Sequence, residues 1–281
     1  MKIQFFCPQW GSESLAYEDF FNKAQQAGYD GVEMGIPVDS IKKKHIANCC
    51  IKTNMQLIAQ QGEAGLESDF AKHKDLFLSY LNNAMDLKPL FINSQTGKDF
   101  FTEAQNLELI DAAASLSKDR GVQISHELHR GRFTYSPTSI QAYLYKRPDL
   151  NYTADFSHWL TVSESRLDAP QQQQVLNAVI PRCVHIHARI GFEQGPQVND
   201  PSAPEWRELV DIYIAWWQKI IDTQVDNGAE QISITPEFGP GPYMPKLPHS
   251  QAPVSDQWQA NVYMMNLLKN TLRCTPLSKA S

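Results

Sequence analysis

Four strand-like runs in the second half of this sequence each carry an acidic or imidazole side chain near the carboxyl end. These side chains are Glu127, Asp155, His187 and Glu237. Polar residues recur with a period of two within each run, so they share one face, and the opposite face is almost wholly apolar. Three carboxylates and an imidazole suit a divalent metal ion such as Mn²⁺, Mg²⁺, Co²⁺ or Zn²⁺. If the runs converge, their side chains therefore have the composition of a metal site.

Parallel strands that end at one common edge would bring these side chains together. Eight strand-like runs occur: Lys2–Cys7, Gly31–Met34, Gln56–Gln60, Leu90–Ser94, Val122–Leu128, Tyr152–Phe156, Val184–Ile190 and Ile232–Glu237. Helical patterns alternate with them: Ser14–Ala27, Asp69–Asp86, Thr102–Asp119, Ser136–Tyr145, Ala169–Val179, Trp206–Asn227 and Asp256–Leu272. This alternation predicts an α/β fold, a single-domain (β/α)8 TIM barrel over residues 1–275, with a disordered tail at 276–281.

A closed barrel accounts for the polar faces better than an open, doubly wound sheet does. In a barrel the polar face of each strand lines the lumen, and the site draws on the C-terminal ends of several strands. An open sheet places its ligand at one switch point of the strand order. Polar residues that end four successive strands therefore favour the barrel.

The composition of the chain argues against several classes of protein. Its 281 residues carry a net charge of −6, which is unfavourable for binding a nucleic-acid backbone. No apolar run of about 18 residues occurs, so no membrane span is predicted. Scattered cysteines and a start without a signal-peptide pattern predict a cytoplasmic protein with reduced thiols. Adjacent Trp216 and Trp217 suit internal packing or an oligomer contact, so a homo-oligomer stays open.

Short motifs in strand order resemble those of a known superfamily. They are Ala27-Gly-Tyr-Asp-Gly-Val-Glu33, Glu127, Asp155-x-x-His158, His185-x-His187 and Glu237. On these motifs, most of the chain resembles the xylose-isomerase-like TIM-barrel superfamily of sugar isomerases, epimerases and inosose dehydratases. The resemblance implies a single divalent metal ion with four protein ligands, namely Glu127, Asp155, His187 and Glu237.

The resemblance also implies a reaction. In epimerase-like members the two ligand glutamates move protons on opposite faces of the substrate, so Glu127 and Glu237 are predicted as acid and base. Such a pair suits isomerisation or epimerisation of a sugar, cyclitol or related polyhydroxy carbonyl compound through an enediolate. The epimerases carry another glutamate shortly after the strand-five ligand, whereas this chain offers His129. Glu127-x-His129 resembles the inosose dehydratase-like members, so a lyase on the same metal site is the alternative.

Two other classes of protein are weaker alternatives. An abasic-site endonuclease would need further histidines from the earlier strands, and the sequence has none at the ends of strands two, three and four. A non-catalytic sugar-binding barrel would have no need of the complete ligand set.

Further side chains are assigned to a small polyhydroxy substrate from their places near the strand ends. The predicted substrate contacts are Gln9, Trp10, Gln95, His158 and Arg189. His129 and His158 are also predicted to act in proton transfer. Arg189 is predicted to pair with Glu237 or to bind a substrate oxyanion.

Strand parity and depth separate the remaining candidates. His185 precedes His187 by one pleat and is predicted to be a deeper, hydrogen-bonded support. His126 has the opposite parity and is predicted to pack under a helix. Glu33 and Gln60 end strands two and three and are weaker candidates for the mouth of the barrel.

Overall fold

Eight parallel strands close into a barrel in chain order in the computed structural model, which describes residues 1–274. The strands are β1 (Lys2–Pro8), β2 (Gly31–Gly35), β3 (Gln56–Gln61), β4 (Ile92–Ser94), β5 (Ile124–Glu127), β6 (Tyr152–Ala154), β7 (Cys183–His187) and β8 (Gln231–Thr235). The predicted (β/α)8 TIM barrel is confirmed, and all eight predicted strands are present. The predicted tail at 276–281 lies outside the described residues.

Helices surround the barrel, and each predicted helix is present within a few residues of its expected bounds. They are α1 (Tyr17–Ala27), α2 (Ser40–Thr53), α3 (Phe70–Met85), α4 (Glu103–Arg120), α5 (Pro137–Lys146), α6 (Ser157–Ser163), α7 (Pro170–Val179), α8 (Arg207–Asp226) and α9 (Gln257–Thr271). Two of them, α2 and α6, are not among the predicted helices. Helix α2 buries few residues and has no broad apolar stripe, and α6 has only seven residues. Within residues 1–274, none of the helices has the length and apolarity that a membrane crossing requires.

The ends of α4 illustrate how local chemistry fixes the elements around the lumen. Thr102 accepts a hydrogen bond from the backbone N–H of Gln105, and the Gln105 side chain accepts one from the backbone N–H of Thr102. This capping box satisfies backbone groups that the first turn of a helix leaves free. The helix ends at Gly121, whose φ of 66° suits glycine. Strand β5 begins three residues later and carries Glu127.

Strands β5 to β8 each end one to three residues earlier than the alternating pattern predicts. Strand β7 ends at His187, and β8 ends at Thr235. Pro236 has no backbone N–H, so it cannot continue the ladder of β8. Arg189 and Glu237 therefore lie in the loops that leave the C-terminal end of the barrel.

The N-terminal end of the lumen is closed by apolar side chains. Phe6, Ile58 and Phe91 form a buried cluster that is separate from the core beneath the helices. Strand β2 makes room for this cluster, because a Cβ at Gly31 would lie 2.4 Å from the Phe6 ring. His185 lies directly above, with its ring centroid 5.2 Å from that of Phe91. The polar part of the lumen therefore begins at His185 and opens toward the C-terminal ends of the strands.

Candidate metal and active site

The structure brings together the four residues predicted as metal ligands. Glu127 and His187 are the last residues of β5 and β7, Asp155 directly follows β6, and Glu237 follows β8. Each offers one ligand atom, and these atoms all lie within 4.8 Å of one another in a buried cluster. Four separate strands thus deliver three carboxylates and one imidazole to one point, and this cluster could hold a metal ion.

The two ring nitrogens of His187 face different partners. Its Nε2 lies 3.0 Å from Glu33 Oε1, while its Nδ1 lies 2.9 Å from Glu237 Oε2 and 3.6 Å from Glu127 Oε1. A proton on Nε2, donated to Glu33, leaves the Nδ1 lone pair directed at the two glutamates. Neither His187 Nδ1 nor Glu127 Oε1 has a partner in hydrogen-bond geometry, although Nδ1 is close to Glu237, and both atoms are buried. Buried nitrogen and oxygen atoms without such partners are suited to coordinate a cation that lies between them. Glu33 would then orient the imidazole ring.

Glu33 lies deeper than its predicted place at the mouth. It is 2 % exposed and accepts hydrogen bonds from Thr235 Oγ1 at 2.5 Å and from Asn93 Nδ2 at 3.1 Å. His185 Nε2 lies 3.1 Å from its second carboxylate oxygen, as expected for a deeper support. Burial acts to raise the pKa of Glu33, but the charges of His187 and His185 hold it well below its usual value. Glu33 is therefore a carboxylate beneath the cluster, and it fixes both histidines of β7.

Arg189 places a positive charge beside two of the clustered carboxylates. Its guanidinium pairs with Asp155, and its Nη1 lies 3.6 Å from Glu237 Oε2, so the predicted contact with Glu237 is present. Nη2 also donates to His158 Nε2 at 2.7 Å. Burial acts to lower the pKa of Arg189, and the carboxylates of Asp155 and Glu237 raise it above its usual value. Arg189 therefore balances part of the negative charge of the ligand set.

His129 and His158 form a pair beside Glu127. Their ring centroids are 3.9 Å apart, and ligand atoms of both rings and of Glu127 lie within 4.8 Å of one another. His129 Nδ1 donates to the carbonyl oxygen of Arg130 at 2.6 Å, which leaves Nε2 as an acceptor. His158 Nε2 lies 3.5 Å from Asp155 Oδ2, the contact with a ligand carboxylate expected from the sequence. Burial lowers the pKa of both rings, that of His129 to about 4.

A cavity of about 380 Å³ opens above the cluster. Its lining includes Trp10, Gln60, Gln95, Glu127, His129, Arg189, Glu237 and Tyr243. Gln60 Nε2 donates to Glu237 Oε1 at 3.0 Å, so this amide also orients a carboxylate of the cluster. Trp10 reaches the cavity across the backbone of Gly239, where a Cβ would lie 2.1 Å from its ring.

Two of the predicted positions, Gln9 and His126, do not line the cavity. Gln9 lies just beyond the end of β1, and its backbone N–H donates to the carbonyl oxygen of Glu33 at 2.9 Å. His126 points away from the lumen as predicted, and its Nδ1 lies 2.7 Å from Thr96 Oγ1. Burial lowers the pKa of His126 to about 4.

Sequence reasoning did not find Tyr243 and Asn93. Tyr243 lies in the proline-rich loop after β8, and no periodic pattern marks it. Its ring centroid lies 5.0 Å from that of Trp10 and 4.8 Å from Arg189 Cζ. Asn93 lies on the lumen side of β4 and donates to Glu127 Oε2 at 3.2 Å. The parity of β4 could have identified Asn93, whereas Tyr243 required the fold of its loop.

Solved structures with the same architecture match nearly the whole chain. A 3-keto-D-glucoside 4-epimerase from E. coli is 12% identical, with a TM-score of 0.61 over 96% of this chain and 100% of that one. A xylose isomerase-like TIM barrel protein from Mycobacterium smegmatis in complex with magnesium is 10% identical, with a TM-score of 0.63 over 96% and 98%. The chain shares the (β/α)8 barrel fold of these two proteins.

A further solved structure has the same fold, whereas comparisons of the sequence with family models and curated proteins give no match. A probable 3-DHS dehydratase from Bacillus anthracis, involved in petrobactin synthesis, is 15% identical, with a TM-score of 0.58 over 96% of this chain and 99% of that one. No family model and no curated protein matches the sequence. At identities of 10 to 15%, these proteins share the barrel fold with this chain, and the chemistry of the site depends on its own residues.

Proposed function

We propose that this chain is a divalent-metal-dependent isomerase or epimerase of a sugar, cyclitol or related polyhydroxy carbonyl compound. The observation that carries the proposal is the buried cluster of three carboxylates and one imidazole, with ligand atoms within 4.8 Å, beneath a cavity of about 380 Å³. The cavity is within the size range of small-molecule sites. Solved neighbours that are named as an epimerase and as a magnesium complex support the same class.

The ligand set defines the expected cofactor. Glu127, Asp155, His187 and Glu237 would hold one ion, and their donor set suits Mn²⁺, Mg²⁺, Co²⁺ or Zn²⁺. A bound ion would polarise a substrate carbonyl and so acidify the neighbouring C–H bond. Glu33 keeps His187 in one orientation for this role through the contact at Nε2.

Proton transfer falls to the two glutamates that line the cavity. Glu127 and Glu237 flank His187 Nδ1, at 3.6 and 2.9 Å, and both carboxylates face the substrate space. Burial acts to raise the pKa of Glu127, but the neighbouring charges, that of His187 first among them, lower it to about 2. One carboxylate removes a proton next to the carbonyl, and the other returns a proton to the enediolate. Arg189 and the amides of Gln60 and Gln95 would orient the hydroxyl groups.

Dehydration is the second candidate reaction, and the histidine pair favours it. His129 and His158 lie beside Glu127, where a second proton-transfer group would serve a departing hydroxyl. In that reaction Glu127 would remove a proton from carbon, and one imidazole would relay that proton to the leaving oxygen, which departs as water. A solved neighbour named as a dehydratase supports this alternative.

Metal analysis and deuterium exchange test the proposal. Purified protein is expected to contain about one divalent ion per chain, to lose thermal stability on chelation and to regain it with Mn²⁺ or Co²⁺. A panel of sugars and cyclitols in D₂O should then acquire deuterium next to the carbonyl carbon without loss of water. Loss of water with a new C=C bond would instead identify the dehydratase. A protein that binds none of these ions would overturn both reactions.

The same proposal includes the cellular location of the protein, its binding partners and its oligomeric state. A small polyhydroxy substrate in the cytoplasm is the expected partner, and neither nucleic acid nor a membrane is expected to bind. Size-exclusion chromatography with light scattering would decide whether the chain forms a homo-oligomer.

A further inference from the structure

A second, larger cavity adjoins the one above the carboxylate cluster. Its volume is about 580 Å³, and it lies between the loop that follows β7 and the loop that follows β8. Phe192, Gln194, Asn199 and Trp206 contribute from the first loop, and Tyr243 from the second. Tyr243 lines both cavities. None of the residues predicted from the sequence to bind metal or substrate belongs to this second cavity.

The Tyr243 ring is the boundary between the two spaces. Two arginines from the loops after β5 and β7 lie near this ring. Arg130 Cζ is 5.3 Å and Arg189 Cζ is 4.8 Å from the ring centroid. Arg189 belongs to the first cavity and Arg130 to the second. A substituent that leaves the first cavity past Tyr243 would therefore enter the second one.

The loop after β7 is fixed in place by hydrogen bonds, so its cavity is preformed. Gln197 accepts from the backbone N–H of Gly239 at 2.7 Å and donates to its carbonyl oxygen at 3.1 Å. Trp206 Nε1 donates to Asn199 Oδ1 at 2.8 Å. The Phe192 and Trp206 rings pack at a centroid distance of 5.2 Å and an angle of 43°. A pocket held in this way needs little ordering when it binds a ligand.

The lining of the second cavity is different from that of the first. Aromatic rings, prolines and Val254 provide most of its walls, and its polar groups are the guanidinium of Arg130 and the amides of Gln194, Gln197 and Asn199. Apolar walls with few polar groups suit a compact ring that has apolar faces and a polar edge. The carboxylates and imidazoles of the cluster are not part of this lining. The second cavity therefore has the features of a binding site without the chemistry of a reaction.

We infer that the second cavity binds a further ring of the substrate, joined by a glycosidic bond to the sugar that occupies the first cavity. The inference rests on the proposed function, because it assigns the sugar to the cavity above the cluster. It narrows the substrate class to glycosides in which the sugar in the first cavity still carries the carbonyl group that the proposed reaction needs. The second ring would be a sugar or an aryl group, since both offer apolar faces to Trp206 and Phe192.

Calorimetric titration of matched ligands tests the inference. The probes are the methyl and phenyl β-D-glycosides of glucose, galactose, mannose and xylose, with cellobiose and lactose as the two-sugar arm. For at least one sugar, the ligand with a second ring is expected to bind about tenfold more tightly than the methyl glycoside. The phenyl and disaccharide arms then show which kind of ring the cavity prefers. Equal affinity for methyl, phenyl and disaccharide ligands, or no binding by any of them, would overturn the inference.

A cavity-filling variant locates the preference. Val254 is 41% exposed and lines the second cavity, so Val254→Trp places a bulky ring there at little risk to the fold. In this variant, the ratio of the affinity for the ligand with a second ring to that for the methyl glycoside should fall to about one. Val162→Trp is the matched control, because Val162 is also 41% exposed and does not line the cavity. An unchanged preference in Val254→Trp would overturn the inference. The proposed function is judged separately, by the metal content of the wild-type protein.

Discussion

The two halves of the barrel supply different chemistry to one cavity. Strands β5 to β8 and the loops that follow them supply the four clustered ligand residues. Strands β2 to β4 supply Glu33, Gln60 and Asn93, and each of these contacts a residue of the cluster. The second half thus provides the groups that would bind and react, and the first half determines how they are oriented.

Hydrogen-bond direction explains this division. Asn93 Nδ2 donates to Glu127 Oε2 at 3.2 Å, and Gln60 Nε2 donates to Glu237 Oε1 at 3.0 Å. Each amide occupies one carboxylate oxygen and leaves the other free to face the cluster. Hydrogen bonds that lock a side chain in this way keep a reactive group within the narrow geometry that catalysis needs. Changes in the second half should therefore remove the chemistry, and changes in the first half should weaken it.

The largest effect is expected from Glu127→Gln. This change removes a proposed base and metal ligand while it preserves the shape of the side chain. Deuterium exchange into the substrate should fall by roughly 10²- to 10⁴-fold, and elemental analysis should show a lower metal content. Exchange kinetics measured at saturating metal separate the loss of the base from the loss of the ion.

Glu63→Gln is the control for that variant. Glu63 lines the same cavity but belongs to none of the buried clusters with metal-ligand geometry. The Glu63→Gln variant should keep the rate of deuterium exchange into the substrate within a few-fold of the wild-type rate. Equal losses in the two variants would show that any change of charge in the cavity is harmful, and the comparison between the halves would fail.

An intermediate effect is expected from Glu33→Gln in the first half. Glu33 is not a member of the four-residue ligand set, but it contacts His187 Nε2 at 3.0 Å and sets the direction of Nδ1. Loss of such an outer carboxylate should weaken metal binding by about 10- to 100-fold. Isothermal titration calorimetry with Mn²⁺ measures the change in metal affinity directly, and circular dichroism checks that the barrel is intact. A metal affinity equal to that of the wild type would mean that His187 is oriented without Glu33.

The same comparison shows what the sequence could predict. Glu127, Asp155, His187 and Glu237 each follow an apolar strand, and the alternation with helices predicts the barrel that unites them. Strand parity also separated His126 from Glu127 correctly, since His126 bonds to Thr96 on the other side of β5. These features depend on local periodicity, which a single sequence carries.

The roles of residues in the first half are not visible in the sequence, because they depend on contacts between distant segments. Glu33 is 154 residues from His187, and Gln60 is 177 residues from Glu237. Nothing next to Glu33 in the sequence shows that it lies beneath two histidines rather than at the mouth. Tyr243 is a stronger case, because the loop that places it between two cavities has no repeating pattern. Side chains that act through their partners become visible only when the partners are placed.

The smallest effect is expected from Gln60→Ala, and it gives the most sensitive test of the division between the halves. The amide of Gln60 donates one hydrogen bond to Glu237 at 3.0 Å and lines the cavity, but it belongs to no ligand set. Hydrogen bonds to charged groups contribute about 1.5–3 kcal/mol, and Gln60 is partly exposed, so water can replace part of its bond. A loss at the lower end of that range should lower kcat/KM about tenfold, with metal content unchanged.

Gln56→Ala provides the matched control for Gln60→Ala on the same strand. Gln56 has the same parity on β3, but its side chain accepts a hydrogen bond from Gln4 at 2.7 Å near the closed end of the barrel. It should leave kcat/KM unchanged and affect stability alone. If Gln60→Ala instead abolished metal binding as completely as Glu127→Gln, the first half would supply a ligand rather than orientation. If both glutamine variants behaved alike, depth along the lumen would not separate support of the fold from support of Glu237.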